Sequence, residues 1–459
     1  MPSPPTTPAP TVADLAPSAA SPAHWSAAPG RSPTANRSAT ARPAAGIFSP
    51  LRPTLRLDGH SYSPALLERI VTLAGRLKSF EQAAIALEVA ADVDISGRQI
   101  NRLAEEVGAD LARQRDEQAA RYRRRELPAR VAEPPPVAVV EVDGGRLGTR
   151  QPGVGPGVYA AQPKEDKLAC LLSMASDRHA QDPQPEPPLS FRDARRVARL
   201  VRQLQGQAAA AGEEPVEDAA AAGPEPVREG ARPGKPEPLL RTCVASLTDS
   251  RGFGPLVAAE AQVRNFFAAE RQAYVADGQH YNWRIQETWF PHAVPIADFL
   301  HVLGYLYTAA WATEADDGTR WAQFEAWMTA CWQGRAGAVR AELLARQERL
   351  GRPPPGEELA AADPRAVVAE ALSYLGNNQR RMDYPRYRRE GLPVTSSLVE
   401  SLVGEFNGRV KGRDKYWNRG PGTEAILQVR AAVLSEDNRL ARYFAERPGN
   451  PYRRRPRTE

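Results

Sequence analysis

Five short apolar runs, set far apart along the chain, decide what it can fold into. Val137–Val142 is nearly all apolar and follows a linker containing Pro134, Pro135 and Pro136. Leu168–Met174 and Thr242–Leu247 are similar, and Tyr274–Ala276 and Val294–Ala297 are shorter. An apolar run without alternation suits a strand covered on both faces. Residues 255–272, between the third and fourth runs, have a helical pattern, as does the stretch from Phe299 to Thr395. Strands interleaved with helices make this an α/β chain.

A helical block precedes the strands, over residues 61–125. Ser63-Pro64 opens its first helix, with proline at the favoured first position. Ser79 with Gln82, and Ser96 with Gln99, match the capping box, in which a hydroxyl caps the helix end and the third residue reaches back. Ile100, Leu103, Ala104 and Val107 then form one apolar face. Two readings stay open for this block. It is a helix-turn-helix that offers Arg98, Gln99 and Arg102 to DNA, or it is a plain helical hairpin.

Residues 1–50 read as a disordered tail rich in Pro, Ala and Ser, and 446–459 as a basic tail. Residues 205–238 are a low-complexity loop. The chain of 459 residues is 42% hydrophobic, so it can bury a real core, and it is too long for one ordinary domain. A net charge of +5 argues only weakly for nucleic acid, and the local basic clusters argue better. The three cysteines, Cys170, Cys243 and Cys331, form no CxxC pair, so neither a disulfide framework nor a cysteine zinc site is expected. No run approaches the roughly 18 apolar residues of a membrane span. The N-terminus has no signal-peptide pattern. A cytoplasmic, nucleoid-associated protein is the expectation. Trp311, Trp321, Trp327 and Trp332 crowd one helical segment, either as an aromatic core or as a surface on which bases stack.

Three acids sit at the edges of these elements. Asp143 and Asp277 each end an apolar run and precede glycine, and Glu400 lies in TSSLVESLVGEFNGRVKG. A carboxylate leaving a buried strand beside glycine is held rigidly and can be approached closely. Two neighbouring carboxylates repel unless a cation neutralises them, and Mg²⁺ is the natural oxygen-loving choice. Each acid also has an ordinary reading: Asp-Gly is a common turn, and Ser397 with Glu400 is itself a capping box. Lys164, Lys167, Arg409, Lys411 and Arg413 are candidate phosphate contacts or a solvated basic face.

These ordered blocks resemble those of DDE transposases of bacterial insertion sequences, the Kra-type group especially. The likeness is carried by the aspartate-glycine block at Asp143 and by YVADGQHYNWRIQETWFPHAVPIADFLHV. It extends through YLGNNQRRMDYPRYRREGLP and the Glu400 block followed by Trp417, and it covers roughly residues 60–445. Asp298 and His301 resemble the family's D-x-x-H motif. The resemblance implies a ribonuclease-H-like core over 137–298, in which the first and fourth strands of a mixed five-stranded sheet set two aspartates side by side. It implies a helical insertion over 299–395 and closing helices over 396–445. Asp143, Asp277 and Glu400 then correspond to a triad binding Mg²⁺ (or Mn²⁺) for two-metal phosphoryl transfer, with Asp298 and His301 as supporting residues. Transposon-end and target DNA would be the partners, with a homodimer or larger assembly on DNA. The family's Gly-Ser-Gly turn before the glutamate reads Thr395-Ser396-Ser397 here. A transposase-derived DNA-binding regulator without catalysis is the alternative.

Overall fold

The computed structural model describes residues 62–150, 161–204, 234–354, 359–360, 362–396, 402, 404–406, 409–410 and 420–446, without the side chains of 145–150, 161–164 and 420. Three helices come first: α1 (Pro64–Arg76), α2 (Phe80–Ala91) and α3 (Gly97–Arg123). Each begins where a serine caps it. Ser63 Oγ accepts from Leu66 N at 3.3 Å, Ser79 Oγ from Gln82 N at 3.1 Å and Ser96 Oγ from Gln99 N at 3.3 Å. Asp92, in the left-handed region at φ 49°, stops α2.

The strands are β1 (Val137–Arg150) and β2 (Ala161–Ala175), then α4 (Ala194–Leu204), then β3 (Glu237–Ser246). The chain continues through α5 (Ser250–Val263), β4 (Arg271–Ala276), α6 (His280–Trp289) and β5 (Val294–Ala297). The helices α7 (Phe299–Thr313), α8 (Asp317–Trp332), α9 (Ala336–Leu350), α10 (Pro364–Asn378) and α11 (Tyr384–Arg389) follow. Near the end lie α12 (Gly420–Leu434) and α13 (Arg439–Glu446).

The five strands form one mixed sheet in the order β3-β2-β1-β4-β5. The pairs β3/β2 and β2/β1 are antiparallel, whereas β1/β4 and β4/β5 are parallel. The protein is therefore α/β, with the first strand beside the fourth. Alternate residues feed two cores. Val137 and Val139 pack with α7–α11 and the N-terminal helices, and Ala138, Val140 and Val142 pack under α5 and α6. Trp327 and Trp332 are buried, and Trp311 and Trp321 pack against the same core, so these tryptophans build the fold's interior. The cysteines are buried thiols with no bridge. Among the described residues no helix is long and apolar enough to cross a membrane.

Two sequence expectations are corrected here. The helix expected over 255–272 occupies Ser250–Val263, because Asp249 caps it through Gly252 N at 2.8 Å and Asn265, at φ 59°, turns the chain away. The strands β1 and β2 run well past the apolar runs, because backbone pairing in their hairpin continues from Asp143↔Leu168 to Arg150↔Ala161.

The helices α3 and α12 touch backbone to backbone. A Cβ on Gly108 would fall inside the radius of the Ala425 carbonyl oxygen. Ala is the better helix former by roughly 1 kcal/mol, but forcing two helices apart costs about 1–3 kcal/mol or more. Gly108→Ala is therefore expected to be net destabilising, by about 1–2 kcal/mol in urea unfolding. An unchanged midpoint would refute the close approach.

Candidate active site

The site is built at one end of the three parallel strands. The pairs Val142↔Ala276 and Ala276↔Ala297 are in register. The next residues along are Asp143, Asp277 and Asp298. Parallel strands run about 4.8 Å apart, so the sheet sets three aspartates in a row. Asp143 continues the face of Val139, and Asp277 that of Val275, so both address the layer that holds α7 and α10.

Asp143 is partly buried, and its Oδ1 accepts from Gly144 N at 2.7 Å. Burial pushes its carboxyl up to about 6, and the charge of Asp277 adds to that, while His301 pulls the other way. Asp277 Oδ1 accepts from Gln279 N at 3.0 Å and from Asn282 Nδ2 at 2.8 Å. The second oxygen of each aspartate has no hydrogen bond among the described residues. The turn after Asp277 needs glycine. Gly278 has φ +98°, and a Cβ there would meet Tyr374 at 2.6 Å and Asn378 at 2.8 Å. Asn378 Oδ1 in turn accepts from Trp283 Nε1 at 2.9 Å, which fixes α6 to α10.

Asp298 has a different task. Its side chain is fully buried. Oδ1 accepts from Leu300 N at 3.2 Å and Ser396 N at 2.9 Å, and Oδ2 from Ser396 Oγ at 2.6 Å and His301 Nδ1 at 2.8 Å. It thereby caps α7 and anchors the chain at Ser396. These bonds hold its carboxyl below the ordinary carboxylate range although burial opposes them. Burial would also lower the His301 pKa, but the Asp298 bond and the charges of Asp298, Asp277 and Asp143 raise it to about 9. His301 is thus an imidazolium at neutral pH, 22% exposed and within electrostatic reach of the two aspartates.

A histidine whose pKa rises on folding stabilises the fold below its unfolded value of about 6.5 and loses that contribution as pH climbs through the folded value. The stability advantage of wild type over His301→Gln is expected to shrink as pH passes from about 6.5 through about 9. Thermal melts across that range test this, and a constant difference would contradict it.

The basic candidates are placed as follows. Lys167 is buried, pairs with Glu165 at 2.9 Å and lies 4.7 Å from the Tyr281 ring centroid, beside the site. Arg409 is buried away from it. Its Nε donates to Ala74 O at 2.8 Å and its guanidinium stacks on Phe80. On α3, Arg98 and Arg102 are exposed and Gln99 is half-buried. Glu400, Lys411, Arg413 and the Lys164 side chain lie outside the described residues. Sequence reasoning missed Asn282, which holds Asp277, Asn378, which ties α10 to α6, and the grip of Ser396 on Asp298. It also missed Asp166, a fully buried acid on β2 opposite Gly145. No pattern in the sequences of α6 and α10 marked the two asparagines, since both helices carry several other polar residues.

Among the described residues no group of three or more His, Cys, Asp or Glu side chains is gathered as a metal cage. Asp298 is occupied by Ser396, Leu300 and His301, which leaves Asp143 and Asp277 as the pair with oxygens to offer. A raised carboxyl beside a second acid, each with an unbonded oxygen, fits a hard cation that completes its shell elsewhere. No family model matches the chain, and no curated protein matches it.

Proposed function

We propose that this chain is a DDE transposase with a ribonuclease-H-like core, cutting and joining DNA at the ends of an insertion sequence. One observation carries the reading: Asp143 and Asp277 each follow the last pair of the parallel β1/β4 ladder, Val142↔Ala276, at the same level and on the same face of the sheet. The strand order, with β1 between its hairpin partner and β4, supports it, as do the ordered sequence blocks. Asp143 and Asp277 would hold Mg²⁺ or Mn²⁺, with Glu400 the third ligand by resemblance. A divalent ion held there supplies charge neutralisation for in-line phosphoryl transfer. The chain's own residues do the rest. Asn282 and Gln279 N orient the Asp277 carboxylate, Gly144 N orients that of Asp143, and the Asp298–Ser396 bonds fix where the segment leading to Glu400 departs. The helices of residues 61–125 would recognise end DNA, and residues 299–395 form the insertion.

Metal binding gives a first test. The raised Asp143 carboxyl means that the metal-free fold loses stability as pH rises through about 6. A divalent ion should offset that loss. Near neutral pH, Mg²⁺ or Mn²⁺ at about a hundred times its Kd is expected to stabilise the protein by about 2.7 kcal/mol. The gain should fade below pH 6, where the proton competes, and be absent in Asp277→Asn. A melting temperature indifferent to both ions would overturn the site. DNA binding without metal-dependent cleavage would favour the regulator instead.

A further inference from the structure

We propose that the outer face of α4 is a binding surface for the DNA phosphate backbone, beside the acid row. The inference rests on the DNA-processing reading and adds to it a surface that lies on neither the N-terminal helices nor the acidic site.

The helix α4 reads ARRVARLVRQL, with four arginines and no acid in 11 residues. Its inner face is settled by packing: Val197 and Val201 are buried, Leu200 packs against the core and Leu204 lies against Gly304 of α7. Arg195, Arg199 and Arg202 follow one another at i, i+4 and i+7, on the side opposite. All three are exposed, as is Arg196. A surface helix normally intersperses acids four residues from such arginines. Here none exists, and Arg195, Arg196 and Arg202 enter no ion pair among the described residues. The nearby carboxylate of Asp193 is used on the backbone, where it accepts from Arg196 N at 3.0 Å.

The stripe spans about 10 Å, from seven residues at 1.5 Å each. Duplex DNA carries a phosphate charge for about every 1.7 Å of its axis, so Arg195 and Arg202 at the two ends of the stripe can each engage a phosphate, in the bidentate geometry that arginine favours. Its position matters as much as its charge. The C-terminal end of α4 meets α7 at Gly304, one turn from His301, which lies within electrostatic reach of Asp143 and Asp277. Arg202 lies within electrostatic reach of Tyr307, which stacks on Trp311 at 3.7 Å and gives the stripe a flat aromatic neighbour. The stripe's C-terminal end is thus the one joined through α7 to the helix turn that carries His301.

The test uses the full chain and a random-sequence duplex of about 30 base pairs, because phosphate contacts are blind to sequence. Anisotropy titrations over a range of salt give Kd and its salt slope for wild type, for R195A/R199A/R202A, and for a control, R335A/R349A/R352A, drawn from exposed arginines on and around α9. The α4 variant should lose about 0.9 of slope per contact removed, about 2–3 in all, and bind about tenfold or more weakly near 0.1 M salt. The control should lose clearly less. Melting curves should match wild type, since the altered side chains are exposed. Equal losses in both variants, or an unchanged slope in the α4 variant while wild type still binds and cleaves DNA, overturn this surface and leave the function standing. A wild-type protein that neither binds nor cleaves DNA overturns the function, and this surface with it.

Discussion

Asp143→Asn is expected to abolish metal-dependent cleavage of end DNA, by at least about a thousandfold, while leaving the protein folded. The two halves of this result follow from the same local physics. The carboxyl of Asp143 is desolvated and faces the charge of Asp277, which is why it is raised to about 6. Removing its charge by an isosteric change relieves both penalties, so metal-free Asp143→Asn should be at least as stable as wild type near neutral pH. The same change removes an oxygen ligand for a hard cation, and an amide is a poor substitute. Loss of cleavage with retained or increased stability would be the signature of a functional carboxylate. A structural one would give the opposite pattern. The measurement is cleavage of labelled duplex carrying the element's terminal sequence, beside a melt in chelator. Asp143→Asn that still cleaves in Mg²⁺ would falsify the assignment.

The meeting of Asp143 and Asp277 was legible in the sequence because each follows an apolar run and precedes glycine, and because strand ends can adjoin over any chain distance. Helix starts were legible for a local reason: Ser63, Ser79 and Ser96 each satisfy a backbone N–H within three residues. What escaped was non-local. The hairpin arms beyond Asp143 carry no apolar signal, since pairing there depends on the partner strand. Lys167 and Arg409 read as surface cations because charge is the only property a sequence prints. The fold buries Lys167 beside Glu165 and Tyr281, and it directs Arg409 to a helix-end carbonyl at Ala74. Arg264 is similar. It donates to Leu171 O at 2.6 Å and Thr242 Oγ1 at 2.9 Å, binding β2 to β3 from inside. The Thr395-Ser396-Ser397 stretch read as a departure from the pattern of the transposases that the sequence resembles. The structure shows that its central serine, the one position shared with Gly-Ser-Gly, is the residue that grips Asp298.

That grip sets the second large expectation: Asp298→Ala should destabilise the fold by about 3–5 kcal/mol, the cost of breaking a buried charge pair by removing one partner. Four donors converge on this carboxylate, and none can turn to water without disturbing the start of α7 or the chain at Ser396. The His301 imidazolium would also lose its main counter-charge. Its pKa should fall from about 9 toward the ordinary value, which NMR titration can follow in any variant that remains folded. Asp298→Asn separates the contributions. It keeps one acceptor for the α7 cap but cannot serve Leu300, both Ser396 donors and His301 together, so it should lie between alanine and wild type. Ser396→Ala removes a single buried hydroxyl bond and should cost about 1–3 kcal/mol. Since Ser396 acts through Asp298, the two alanine changes should fall short of additivity by a measurable coupling of about 0.5–3 kcal/mol. Strict additivity, or an Asp298→Ala protein within about 1 kcal/mol of wild type, would mean that Asp298 does not join β5, α7 and Ser396 as the hydrogen bonds indicate. Under the proposed function activity should follow the same order, since Ser396 lies four residues before Glu400 in the sequence.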